Sequence, residues 1–320
     1  MLQSRFVGAT LSAGLVLMGA GVVYGQDFPS KPVRIVVAAP GGGSDFAARQ
    51  VAQAISGPLG QQVIVDYRGG GILSSEYVAK SPADGYTLHV TGGLLWILPL
   101  LRQVPYDAVR DFSPITLLSI EPGIVAAHPS LPVKSVKDLI ALAKARPGQL
   151  NYGSTGVGAT SHLVVELFKS MAGINMVHVP YKGNSPAVTA LVGGELQLVI
   201  LDASAVAAQM KAGRLRALAV TSANPSALFP ELPTVAAAGL PGFDSVGRTG
   251  IWAPGKTSEA VINRLNLEIV RALNQPSVKE QFLKAGAETV GNTPEQFAAI
   301  IKSEIAKMGK VVKDAGIKAD

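Results

Sequence analysis

Residues 33–59 read VRIVVAAPGGGSDFAARQVAQAISGPL, and this stretch decides the fold. Residues 33–38 are rich in β-branched side chains, which favours a strand. Pro40-Gly41-Gly42-Gly43-Ser44 follows as a loop. Over residues 45–59 apolar side chains recur at helical spacing, Phe46, Val51 and Ile55 among them. Strand, glycine loop and helix together form the repeating unit of an α/β sheet.

The unit recurs along the chain. Residues 63–65 and 86–90 read as strands around a short helix at 74–80. A helix capped by Ser135 runs to Ala145 and is stopped by Pro147-Gly148. Strands at 150–152, 177–179, 196–201 and 215–221 alternate with helices at 160–171, from Ser185-Pro186 onward, and at 203–211. Helices at 258–274, 278–285 and 294–315 close the chain, the last opening on Thr293-Pro294-Glu295-Gln296, a capping-box pattern. Such alternation predicts an α/β fold with largely parallel sheets. Residues 115–127 and 243–253 are apolar runs broken by Gly or Pro, as expected where a chain crosses between lobes. Two crossings put residues 26–124 and 248–320 in one lobe and residues 125–247 in the other.

Composition narrows the function. The chain has 320 residues, no cysteine, 16% charged residues and a net charge of +6. A disulfide scaffold, a Cys nucleophile and a Cys-ligated zinc are excluded. The positive charge is scattered, which argues against nucleic acid. Arg5 followed by the uncharged stretch 6–23 has the pattern of a secretory signal peptide, with cleavage expected before Gln26. A membrane anchor is the competing reading of that stretch, and its many Gly and Ala residues disfavour it. Cleavage removes Arg5 and no acid, so the net charge falls from +6 to about +5. No cofactor is expected, since ATP and NAD chemistry is unlikely company for an exported chain.

Three loops stand where strands hand over to helices: 40–45, 151–162 and 180–186. In open α/β sheets this edge faces the ligand crevice. Glycines let the backbone approach a ligand, and free N–H groups at helix starts favour an anion. Ser and Thr add neutral donors. The pattern suits a small carboxylate, although each loop alone also reads as an ordinary turn with a helix cap. Asp45 reads as a cap, because a bare carboxylate repels an anion. Ser44 is open between the two roles. His162, in the first turn of a helix, and Lys182 also have plain structural readings.

Several tempting motifs fail. Gly250-Ile251-Trp252-Ala253-Pro254-Gly255-Lys256-Thr257 matches the phosphate-loop pattern letter for letter. Pro254 lacks an N–H where the loop should donate, and Ile251-Trp252 reads as strand. His89, His128, His162 and His178 show no metal-ligand spacing. Ser154, Ser161 and His162 are the only residues from which a hydrolase centre could be assembled, and no third group orients the histidine.

Taken in order, many segments resemble the Bug-type extracytoplasmic receptors of tripartite tricarboxylate transporters. They include Phe28-Pro29-Ser30-Lys31-Pro32, Pro40-Gly41-Gly42 with Asp45, and Pro82-Ala83-Asp84-Gly85-Tyr86-Thr87-Leu88. Pro105-Tyr106-Asp107, His128-Pro129-Ser130-Leu131-Pro132, Leu150-Asn151-Tyr152-Gly153-Ser154 and His178-Val179-Pro180-Tyr181-Lys182-Gly183 continue the match. Leu215-Arg216-Ala217-Leu218-Ala219-Val220-Thr221 and Leu232-Pro233-Thr234-Val235 complete it.

The resemblance implies a two-lobed periplasmic binding protein, type II-like, that closes on a small organic carboxylate. It implies delivery to a permease of two integral membrane subunits, with no nucleic-acid partner, and a monomer is expected. Candidate ligand contacts are Pro40, Gly41, Gly42, Gly43, Ser44 and Asp45 in the first loop, and Thr91 and Gly92 after the third strand. Ser154, Thr155, Gly158, Thr160, Ser161 and His162 follow in the second loop, then Tyr181, Lys182 and Gly183 in the third, and Asp202. The sequence departs from the family at Thr91-Gly92-Gly93-Leu94-Leu95-Trp96, where Ser and Thr are usual. Either the ligand's distal end is apolar or aromatic, or residues 94–98 are plain core. Tyr67-Arg68-Gly69-Gly70-Gly71 also departs, which weakens any role for Arg68. A sensor subunit docking a membrane signalling partner and an exported hydrolase are the alternative functions.

Overall fold

The computed structural model describes residues 28–317, so the expected signal segment lies outside the described residues. The chain runs β1 (Val33–Val37), α1 (Gly43–Leu59), β2 (Val63–Tyr67), α2 (Gly71–Ala79), β3 (Thr87–Gly92) and α3 (Leu94–Leu101). Next come β4 (Phe112–Ala127), α4 (Val136–Ala145), β5 (Asn151–Ser154), α5 (Thr160–Ala172), β6 (Val177–Pro180) and α6 (Asn184–Val192). The chain continues through β7 (Leu198–Asp202), α7 (Ala203–Lys211), β8 (Arg216–Val220) and β9 (Val246–Pro254). It ends with α8 (Glu259–Leu273), α9 (Pro276–Lys284), β10 (Glu288–Thr289) and α10 (Pro294–Asp314).

The strand that organises the molecule is β4. Its first part, Phe112 to Pro122, pairs antiparallel with β9. From Gly123 to Ala127 it pairs antiparallel with β7 and β8 instead. One continuous strand therefore serves two sheets. On one side β2, β1 and β3 are parallel neighbours, and β3 meets β9 antiparallel. On the other side β7, β5 and β6 are parallel neighbours. The sheets are mixed rather than largely parallel. The strand–loop–helix units supply the parallel pairs, and the long strands β4 and β9 run against them. This is the α/β, two-lobed binding-protein fold.

Each sheet carries its own core. Val33, Ile35, Leu88, Ile115, Ile251 and Leu265 are buried together on one side of the first sheet. Ile124, Leu191, Val199 and Val220 are buried together on the second. A third cluster is continuous from Trp96, Trp252 and Phe297 to Leu139, Tyr152 and Phe168. Helix α10 carries it across, burying Phe297, Ile301, Met308 and Val311 and packing on both α3 and α5. Its start is the expected capping box, with the Thr293 side chain accepting from Gln296 N–H and the Gln296 side chain accepting from Thr293 N–H. Near the start of β9, Arg248 is bound to Asp244 at 2.9 Å and to Glu304 of α10 at 3.2 Å.

The phosphate-loop look-alike has a packing explanation. Gly250 lies inside β9, where a Cβ would collide with Phe297 and Trp252. At Gly255 a Cβ would strike the Arg110 carbonyl, and its N–H donates to Asp111 O at 2.8 Å. The Thr257 hydroxyl donates to the Pro254 carbonyl at 2.7 Å. Among the described residues, no helix is long and apolar enough to cross a membrane.

Candidate functional site

Three adjoining cavities open where β4 and β9 pass between the sheets. The first, about 250 Å³, is lined by Thr155, Thr160, Ser161, Asn184, Asp202 and Thr221 with Leu94 and Gly247. The second, about 340 Å³, is lined by Gly41, Gly42, Gly43, Ser119, Glu121, Asp202 and Ala203. The third, about 250 Å³, joins them through Gly43, Ser44, Gly92, Leu94, Glu121, Thr160 and Asp202. Asp202 borders all three, so they form one crevice.

Four helices begin on this crevice. Gly43, Thr160, Asn184 and Ala203, the first residues of α1, α5, α6 and α7, all line it. Their unsatisfied N–H groups and dipoles bring partial positive charge to the walls. The loop before α5 is held in shape by Ser161, whose Oγ accepts from Thr155 N–H at 2.9 Å and lies 2.9 Å from Thr155 Oγ1.

The expected site residues divide into wall and support. Gly41, Gly42, Gly43, Ser44, Gly92, Thr155, Thr160, Ser161 and Asp202 line the crevice. Pro40, Thr91, Tyr181, Lys182 and Gly183 are not among the lining residues; Asn184, the next residue, is. Asp45 is not the helix cap, because α1 begins two residues earlier with Gly42 at the N-cap. In the first turn, Asp45 is buried and reaches back to Gly41 N–H at 2.9 Å. It also takes bonds from Arg49 at 2.9 Å and Tyr67 OH at 2.8 Å. Burial pushes its carboxyl up, but the bonds from Gly41, Tyr67 and Arg49 outweigh this and hold it below the usual range. Asp45 thus fixes the glycine loop from behind. Arg68 lies away from the crevice, over the Tyr77 ring and paired with Asp66.

Residues 94–98 belong to neither reading wholly. Leu94 is half exposed and faces the crevice, while Leu95, Trp96 and Ile97 are buried.

Behind the second loop lies a polar stack. Ser154 is fully buried, with Oγ 2.6 Å from His178 Nε2 and 3.0 Å from Gly156 O. The His178 and His162 rings are stacked at 3.8 Å, and Tyr152 continues the stack at 5.0 Å from His178. Gly158 N–H donates to His162 Nδ1 at 3.1 Å, so that nitrogen is unprotonated. Tyr152 OH donates to Glu166, which also binds Lys169 at 2.6 Å. Ser154, Gly158 and His162 therefore support the wall from beneath. Ser154 is paired with His178 rather than His162, and neither Ser154 nor either histidine lines the crevice.

Burial holds His162 at a pKa of about 4, helped by His178, and burial alone holds His89 at about 4. In the unfolded chain both sit near 6.5. Between these values the unfolded state binds the protons and the folded state does not, so stability falls as pH falls. Each histidine then contributes a loss of about 1.4 kcal/mol per pH unit. The urea midpoint is expected to drop steadily from pH 6.5 to pH 5, with a shallower slope in His162→Gln. A flat midpoint over that window contradicts it.

Sequence reasoning missed Glu121, Asn184, Thr221, Ser245 and Gly247. Glu121 had one signal: it is the single charge in the apolar run at 115–127. Its carboxylate lies against Thr249 Oγ1 at 3.3 Å and Ser119 Oγ at 3.4 Å. Gly247 makes room for it, since a Cβ there would come within 2.8 Å of Oε2. Burial first, then the charge of Asp202, pushes Glu121 above the usual carboxylate range. Asp202 is open to solvent within the crevice yet walled by both sheets, and that burial pushes it up as well. Among the described residues no group of three or more His, Asp or Glu side chains is placed to hold a metal ion.

A crevice between two α/β halves, ringed by helix starts and glycine loops, defines a two-lobed solute receptor. Residues 47–317 match the family described as tripartite tricarboxylate transporter family receptor, and the chain belongs to that family. It is a family of receptors, not of enzymes. The chain is 36% identical to protein BugT of Bordetella pertussis, over 95% of this chain and 96% of BugT. The solved structure of R. palustris Rpa4515 with adipate is 37% identical, with a TM-score of 0.72, covering 91% of this chain and 99% of that one. MatC from Rhodopseudomonas palustris with bound malate is 28% identical, with a TM-score of 0.67, covering 89% of this chain and 100% of that one.

Proposed function

We propose that the protein is a periplasmic receptor that binds a small organic carboxylate in this crevice and delivers it to a membrane permease of two integral subunits. The observation that carries the reading is the meeting of four helix starts on one cavity system, with Thr155, Thr160, Ser161 and Asn184 as neutral donors. Solved relatives hold adipate and malate, which supports the ligand class. The carboxylate sits at the starts of α5 and α6, and an apolar body runs along Leu94. The pivot for closure is Pro122-Gly123 of β4 with the start of β9, where β4 exchanges β9 for β7. Residues 1–25 direct export and are then removed, so the mature chain begins at Gln26, which N-terminal sequencing of the periplasmic protein checks.

The direct test is calorimetry and thermal denaturation of the mature chain with aliphatic and aromatic carboxylates. A ligand that binds the folded state at about 100 times its Kd stabilises it by about 2.7 kcal/mol, raising the Tm by several degrees. Binding of uncharged analogues as tightly as the acids overturns the reading.

A further inference from the structure

The crevice of a proposed carboxylate receptor is unexpectedly acidic. The charged side chains lining its three cavities are Glu121, Asp202, Arg248 and Glu304. Arg248 is already bound to Asp244 and Glu304, and Glu304 also to Lys307 at 2.5 Å. Among the described residues, Glu121 and Asp202 have no Lys, Arg or His partner. Glu121 receives two long hydroxyl bonds on Oε1, and among the described residues no bond reaches its Oε2. Asp202 stands at the N-cap of α7, yet its side chain makes no capping bond. The starts of α1 and α7 offset part of this charge. They leave the pair without a cationic side chain among the described residues.

The two acids meet at the glycine-loop end. The cavity at the starts of α5 and α6 holds the hydroxyls and Asn184, with Asp202 on its border. The cavity at the glycine loop holds both Glu121 and Asp202 and no cation. Leu94 stands along the passage between them. Resting on the reading of this crevice as a carboxylate site, we propose that the solute is an amino carboxylate. Its carboxylate lies at the starts of α5 and α6, its apolar body passes Leu94, and its ammonium lies against Glu121 and Asp202. Burying the acid pair against an ammonium supplies the missing partner; burying it against a second carboxylate adds a third like charge. Burial already holds both acids above their ordinary range, and at Glu121 the charge of Asp202 adds to it.

Calorimetry at pH 7.5 on the mature chain tests this with probes matched in length: 6-aminohexanoate, hexanoate and adipate, and the five-carbon set 5-aminopentanoate, pentanoate and glutarate. An alkyl amine is protonated at this pH. Within at least one set the amino acid is expected to bind at least tenfold more tightly than the dicarboxylate. Glu121→Gln is expected to narrow that ratio to threefold or less, and Asp202→Asn to act in the same direction. Thr160→Ala is expected to weaken amino acid and monocarboxylate alike, since it touches the other end. A preference below tenfold in both sets, or a ratio unchanged in both acid variants, overturns the proposal while leaving the carboxylate reading intact. Binding of none of the six overturns the carboxylate reading and this inference with it.

Discussion

Trp252→Ala is expected to remove about 3–5 kcal/mol of stability, the range for deleting a large buried aromatic. Trp252 is 1% exposed and packs between Trp96, at 5.9 Å between ring centroids, and Phe297, at 5.0 Å. Those partners come from α3 and α10, so the ring joins three elements. Gly250 leaves space for this packing, since a Cβ there would strike Phe297 and Trp252. The indole Nε1 has no hydrogen-bond partner among the described residues. Its loss therefore removes packing alone, and Trp252→Phe, which deletes the unpaired N–H but keeps a ring, is expected to cost much less. Total stabilities are about 5–15 kcal/mol, so the alanine variant approaches the threshold of folding. Urea denaturation of the two variants checks this, and a loss under about 1 kcal/mol for Trp252→Ala contradicts it.

Ser161→Ala is expected to weaken carboxylate binding about 10–100-fold, equivalent to about 1.4–2.7 kcal/mol. The hydroxyl lines the crevice and also bonds Thr155 at both N–H and Oγ1, each at 2.9 Å. Alanine removes a ligand donor and leaves the half-buried Thr155 N–H unpaired, at a cost of about 1–3 kcal/mol. The ligand must then order a loop that the wild-type chain holds ready. Ser130→Ala, exposed and bonded to His128 at 2.7 Å, is the control and is expected to leave affinity unchanged. Equal affinities of Ser161→Ala and wild type by calorimetry contradict the assigned role.

Much of the local structure was legible. The strand–glycine–helix unit at β1 and α1, the Ser135 cap of α4 and the Thr293 capping box all rest on contacts within a few residues. The false phosphate loop could be rejected from Pro254 alone, although why Gly255 is needed depends on Arg110, 145 residues away in the chain. The crevice was half legible: loops at the ends of parallel strands announce helix starts. Its acids were not. Glu121 stands in what reads as an apolar crossing strand, and nothing in its neighbourhood says that Asp202 faces it. The Ser154–His178 pair, 24 residues apart, is invisible for the same reason.

The sequence by itself determined the α/β class, most helix and strand positions, and the family, because propensity, capping and short loops act over one or two turns of chain. Tertiary structure alone decided which of those loops share a wall and which support it. It also brought two carboxylates together in the crevice. The physical reason lies in β4, which exchanges β9 for β7 and β8 within a single strand. That exchange juxtaposes residues from opposite parts of the chain, and no local rule encodes the charge they jointly present.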